Sequence, residues 1–253
     1  MHKKLKIGLM GFGKTGKAVS AVLLQNESIT LEWILKRKNN FDHRNAAEFL
    51  GIESTDSAKI FSLEQISIEK ILNEFPVDII IDFSSHSSIL NYGVLASKKG
   101  ITIISAISHY TDEEKVFIQQ LGLNTTVFWS PNITLGINFL MFASKLLKKI
   151  APWTDVEIIE EHFKGKEGIS GTASKLADSL DLKHEHINSI RAGGIVGKHQ
   201  VVFGFPFQTV RLTHESIARE AFGTGIIFVV ENIKHKEKGF YSFEDILQPY
   251  FVA

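Results

Sequence analysis

The sequence predicts an α/β fold in two parts: an N-terminal domain built on a parallel sheet, and a C-terminal α+β domain with a mixed or antiparallel sheet. Three observations carry this. Up to about Ser130, short β-rich runs alternate with stretches of helical period, each change marked by Gly, Ser, Asn or Asp. Several of those runs are apolar on both faces, as strands covered by helices on each side are. After Ser130-Pro131-Asn132 the alternation stops, and one long apolar helix is followed by strands without helices of similar length between them.

The first strand spans Leu5 to Met10 and a helix follows from Gly13 to Leu24. Further strands are expected at Leu31 to Leu35, Asp78 to Asp82, Ile101 to Ser105 and Thr126 to Trp129, with helices at Ser88 to Lys98 and Thr111 to Leu121. The long apolar helix runs from Ile137 to Ile150. The second set of strands is Asp155 to His162, Ile187 to Arg191, Gln200 to Phe205 and Thr209 to Thr213. A final helix, Glu215 to Ile233, returns the chain to the first domain. The dinucleotide-type domain is therefore residues 1–130, completed by 215–253, and the second domain is 131–214.

A chain of 253 residues is long enough for one large domain or two modest ones with real cores. With 44% apolar and 22% charged residues, disorder is excluded for the bulk of it. Lys+Arg and Asp+Glu both number 28, so no global field favours nucleic acid or an anionic membrane as partner. The absence of cysteine excludes disulfides, thiolate zinc sites, iron–sulfur clusters and a cysteine nucleophile. The opening Met1-His2-Lys3-Lys4-Leu5-Lys6 leads into an apolar stretch cut short by Gly11 and Gly13, unlike a signal peptide. No uncharged run approaches the ~20 residues of a membrane span, and a soluble cytoplasmic protein is expected.

Gly11-Phe12-Gly13-Lys14-Thr15-Gly16 sets a GxGxxG directly after a strand and at the start of a helix. This is the Rossmann-type dinucleotide turn. Gly11 makes the tight bend, Gly13 lets the backbone approach a pyrophosphate, Gly16 lets helix and strand pack, and the phosphate meets the free N–H groups of the helix. About 20 residues on, an NAD-preferring protein places a carboxylate on the ribose. Here the chain reads Leu35-Lys36-Arg37-Lys38, so Lys36 and Arg37 can face a 2′-phosphate and NADPH is preferred, with NADH possible.

A second constellation lies in Glu160 to Ala173. It leaves a strand, crosses a Gly-rich loop and enters a helix that Ser170 or Thr172 can cap, with the N–H groups around Gly171 and Thr172 forming a carboxylate site. His162 and Lys166, four residues apart and facing that nest, would bind an anion and deliver a proton. No metal is expected: HExxH is absent, and His184-Glu185-His186 reads as a solvated connector. A Ser–His–Asp hydrolase is excluded by the lack of GxSxG.

These segments together resemble the dihydrodipicolinate reductase family over almost the whole chain. The pieces occur in family order: Gly11 to Gly16, Asp82-Phe83-Ser84, Ser130 to Asn138, Glu160 to Ala173, Ser189 to His199 and His214 to Phe222. The resemblance implies an NAD(P)H-dependent reductase of lysine and diaminopimelate biosynthesis, usually a homotetramer joined through the sheets of its second domains. It implies His162 as proton donor and Lys166 as its cationic partner, with Ser170, Gly171 and Thr172 at the substrate carboxylate. Cofactor contacts are implied for Phe83, Ser84, Ala106, Ile107, Ser108, Ser130, Pro131, Asn132 and Ile133, beside Gly11 to Gly16 and Arg37.

The chain departs from the family pattern where a second histidine helps hold substrate and Phe163 stands instead. The linker Glu167-Gly168-Ile169 is shorter than usual, and Ala106 and His109 replace two loop glycines. Either one carboxylate anchor is missing, or Phe163 turns into the core while Lys164 or Lys166 takes its place. Three functions remain open: reduction of the lysine-pathway intermediate 4-hydroxy-tetrahydrodipicolinate to tetrahydrodipicolinate, reduction of another heterocyclic carboxylate, or NADPH sensing without turnover.

Overall fold

The computed structural model describes residues 4–38, 44–56 and 58–251; Met1, His2 and Lys3, part of the N-terminal reading above, lie outside them. In chain order the elements are β1 (Leu5–Met10), α1 (Lys14–Leu24), β2 (Ile29–Lys36), α2 (Ala46–Leu50), β3 (Lys59–Ser62), α3 (Ile68–Glu74) and β4 (Ile79–Asp82). Next come α4 (Ser88–Lys98), β5 (Thr102–Ser105), α5 (Asp112–Leu121), β6 (Thr126–Trp129), α6 (Leu135–Ile150), β7 (Asp155–His162) and α7 (Gly171–Ser179). The chain continues through β8 (Ile187–Arg191), β9 (Lys198–Phe205), β10 (Gln208–Glu215), α8 (Glu220–Ile233), β11 (Gly239–Tyr241) and α9 (Phe243–Leu247).

Two compact units result, Met1–Ile133 with Phe222–Ala253, and Thr134–Ala221. Among the described residues the first unit holds a seven-stranded sheet, in the order β11-β6-β5-β4-β1-β2-β3. Every pairing in it is parallel. The central strands earn their place by burial: Ile79, Ile80, Ile81 and Asp82 of β4 are all buried. Trp33 of β2 fits beneath β1 only because residue 8 is glycine, since a Cβ there would fall 2.1 Å from the indole. Side chains cap the starts of α2, α3, α5, α7 and α9, with Thr111 and Glu114 forming a reciprocal box at α5.

The second unit is a four-stranded mixed sheet, β10-β9-β7-β8, in which β7 and β8 are parallel and the other pairs antiparallel. Its core gathers Ile137 and Leu140 of α6, Leu176 and Ala177 of α7, and Val201 and Phe203 of β9.

The sequence reading lacks α2, α3 and α9, and two further features differ from it. The last long helix begins at Glu220 rather than Glu215, because β10 continues until His214 pairs with His199 and Glu215 with Lys198. The short edge strands β3 and β11 extend the first sheet on both sides.

Candidate active site

In the first unit each glycine of the turn has a separate physical reason. Gly11 has φ +97° and a Cβ on it would lie 2.7 Å from the Phe83 carbonyl. A Cβ on Gly16 would lie 2.2 Å from the Gly11 carbonyl, so helix and turn pack backbone on backbone. Gly13 has nothing within 4 Å of its Cβ position, so the fold itself does not call for glycine there. It is also the N-cap of α1 and supplies no side-chain cap, which leaves the helix N-terminus to an anion. An open glycine above an uncapped helix end fits the pyrophosphate of a dinucleotide.

Beside this turn lies a cavity of about 510 Å³. Thr15, Phe83, Ser84, Ala106, Ile107, Ser108, Pro131, Asn132 and Ile133 line it, together with His86 and His109, which the sequence reading did not assign. His86 is held by Glu114 at 2.7 Å. Other candidate residues also have partners within the unit or lie exposed on it. Phe12 is 9% exposed and stacks at a tilt on Phe49, with Lys17 over both rings. Ser130 is buried and shapes its loop by donating to the Asn132 carbonyl at 2.5 Å. Lys36 donates to the Lys38 carbonyl at 2.5 Å, and Arg37 is exposed beyond the end of β2.

The turn after β4 is pinned from below. Asp82 is fully buried and accepts from Ser84 N–H (2.8 Å), Ser84 O–H (2.5 Å) and Tyr92 O–H (2.9 Å). Burial pushes its carboxyl up to about 6 despite those donors.

In the second unit His162 closes β7 and is buried, 8% exposed. Its Nδ1 is hydrogen-bonded to Glu160, whose other oxygen accepts from Arg191 and from Ser189. Burial lowers His162 below its ordinary range, and the Glu160 carboxylate works against that. Lys166 is half-buried on the following turn, where its N–H bonds the Phe163 carbonyl at 3.0 Å. Ser170 faces inward: its hydroxyl caps α7 through Ala173 N–H (3.1 Å) and meets His199 Nε2 at 3.0 Å. Gly171, exposed with nothing within 4 Å of its Cβ position, is the part of the motif open to a ligand.

Glu160, His162 and His199 also bring ligand-type atoms within 4.8 Å of one another, a grouping that linear spacing did not reveal. The Glu160 carboxylate is already matched by the Arg191 guanidinium, by Ser189 and by His162. His184 and His186 sit on an exposed turn beside Asp178 and Glu157.

Family profiles described as dihydrodipicolinate reductase, N-terminus, and dihydrodipicolinate reductase, C-terminus, match residues 5–133 and 133–247. The chain belongs to the dihydrodipicolinate reductase family. It is accordingly an NAD(P)H-dependent oxidoreductase, and its first unit takes a nicotinamide cofactor. Relatives named 4-hydroxy-tetrahydrodipicolinate reductase include one from Thermosipho africanus, 32% identical over 73% of this chain and 84% of its own. Another, from Methanocaldococcus jannaschii, is 25% identical over 96% of this chain and 97% of its own. A solved dipicolinate-bound dihydrodipicolinate reductase from a Paenisporosarcina species shares the fold with a TM-score of 0.80 at 21% identity, over 96% of this chain and 99% of that one. Among the described residues no helix is long and apolar enough to cross a membrane.

Within this dihydrodipicolinate reductase frame the departure at position 163 takes a definite form. Phe163 is 47% exposed, so it does not turn into the core as one of the two expectations required. Its carbonyl and that of Gly193 organise the loop, the latter accepting from Lys164 N–H at 3.1 Å.

Proposed function

We propose that this reductase uses NADPH to reduce a cyclic conjugated imine, and that 4-hydroxy-tetrahydrodipicolinate, the substrate in its relatives' names, is that imine. The step would then serve lysine and diaminopimelate biosynthesis. One observation carries the reading: a buried histidine whose Nδ1 is committed to a carboxylate stands at the head of the loop that carries Lys166 and leads to the N-terminus of α7. When bound, the reduced nicotinamide supplies the hydride. His162 then holds the proton that the enamine-type carbon must regain, and delivers it as a general acid. Lys166 places an ammonium where negative charge develops. Gly171 and Thr172 present the helix end to a substrate carboxylate, while Ser170 keeps that end in place by capping it. Lys36 and Arg37, with no carboxylate at the end of β2, support NADPH over NADH.

The exposed ring of Phe163 favours a second reading, in which the substrate carries an apolar group or one carboxylate fewer at that position. Steady-state NADPH oxidation with the freshly generated intermediate tests both. His162→Ala should lower kcat by roughly 100-fold or more with NADPH affinity unchanged. Retained turnover in that variant would move the proton donor elsewhere.

A further inference from the structure

Glu160 is fully buried at the end of β7 and has no part in the chemistry described so far. Sheet register puts its partners in place. Parallel pairing sets Glu160 opposite Ser189 and His162 opposite Arg191, and antiparallel pairing sets Glu160 opposite His199. Arg191 Nη2 and Ser189 Oγ both donate to Oε1, the latter at 2.5 Å, and His162 Nδ1 meets Oε2. An ionised carboxylate only accepts, so the hydrogen in the third bond sits on Nδ1. Burial alone would raise Glu160, but the bonds from Arg191 and Ser189 and the neighbouring positive charge outweigh it and hold the carboxyl at about 2. It is therefore ionised throughout the working range.

We infer that Glu160 is a positioning residue for His162, fixing its proton on Nδ1 and turning Nε2 toward the reacting carbon. Gly197 leaves room on that side, since a Cβ there would lie 3.1 Å from Nε2. Arg191 couples this setting to the neighbouring loop: its Nε donates to the Lys166 carbonyl at 3.0 Å and its Nη2 to the Gly168 carbonyl at 2.6 Å. One guanidinium thus balances Glu160 and carries the backbone that presents Lys166.

The titratable and charged groups around His162 are Glu160 on its own strand, Arg191 on β8, His199 on β9 and Lys166 on the loop. The His199 ring stands edge-on at 5.3 Å. Burial and then the charge of His162 depress His199 to about 4, so it faces His162 as a neutral ring. Glu160 favours the charged form of His162, whereas burial, Lys166 and Arg191 disfavour it. Without the carboxylate, His162 should lose its proton at lower pH.

The inference rests on His162 being the proton donor, and the test separates the two. Nitrogen-15 NMR of the histidine rings in the full-length wild-type protein should show neutral His162 as the Nδ1–H tautomer. Glu160→Gln should move the alkaline limb of kcat to lower pH by about one unit or more, and lower kcat at neutral pH by about tenfold or more. The KM for NADPH should be unchanged. Glu160→Asp keeps the charge and should leave the limb near its wild-type position. An unmoved limb in Glu160→Gln, or a wild-type ring protonated on Nε2, overturns the positioning role; should Glu160→Gln fail to fold, the wild-type tautomer decides. If His162→Ala loses turnover while Glu160→Gln keeps the wild-type pH profile, the positioning role fails and the proton donor stands. If His162→Ala keeps turnover, the functional reading fails whatever the tautomer.

Discussion

Replacing Asp82 by Asn should remove a pH dependence from the stability of the first unit. Asp82 is fully buried under the cofactor-side turn, and burial pushes its carboxyl from an ordinary 3.8 to about 6. Below 3.8 the folded and unfolded chains both hold the proton, and its contribution to stability is full. Between 3.8 and about 6 the unfolded chain releases the proton first, so stability falls as pH rises; above about 6 the loss is complete. At 1.36 kcal/mol per pH unit the total is on the order of 3 kcal/mol. His199 acts in the opposite sense, because burial depresses it from 6.5 to about 4 and its contribution is lost as pH falls through that window. The wild-type curve alone therefore hides both groups. The difference between Asp82→Asn and wild type isolates Asp82, since every other titration cancels. Urea unfolding followed by tryptophan fluorescence suits this: Trp33 is buried in the first unit, whereas Trp153 of the second is 71% exposed. Relative to wild type, the variant should gain on the order of 3 kcal/mol between pH 3 and 7, on top of a constant offset for altered hydrogen bonds. A difference constant to within about 0.5 kcal/mol across that range would show that the three donors, not burial, set the charge of Asp82.

Two further outcomes bear on ligand choice. Arg37→Ala should weaken NADPH about tenfold in a nicotinamide-fluorescence titration and leave NADH unchanged, the size of one exposed charge-assisted phosphate contact; equal wild-type affinity for both cofactors would refute the basic-loop reasoning. Phe163→His should lower KM for the dicarboxylate about five-fold or more, since a buried carboxylate lacking one partner loses roughly 1–3 kcal/mol. An unchanged KM with intact circular dichroism would show that the pocket anchors that carboxylate by another group.

The glycine turn and the His162 to Thr172 loop were legible because local chemistry determines them within a few residues. Glu160, Ser189, Arg191 and His199 were not, because β-sheet register brings together positions some 30 residues apart that no local pattern marks. The motifs did not show that Phe12 packs on Phe49 or that Ser130 bonds within its own loop. The edge strand β11 was missed because three residues are too short to show a period. Phe163 was legible as a departure, but its direction became clear only from its exposure.

The placement of β11 has a consequence for how this chain is made. Its partner β6 ends at Trp129, yet Gly239–Tyr241 follow only about 110 residues later, after the whole second unit. At roughly 5–20 residues per second a ribosome needs several seconds to cross that interval. During it the nascent first sheet ends in an unpaired strand, and its floor lacks Phe243, Ile246 and Leu247, all buried in the finished fold. An open strand edge beside uncovered apolar surface is the kind of intermediate that aggregates or recruits a chaperone. The second unit has every residue of its own sheet before the first does, so the order of completion during synthesis runs against the order of the sequence.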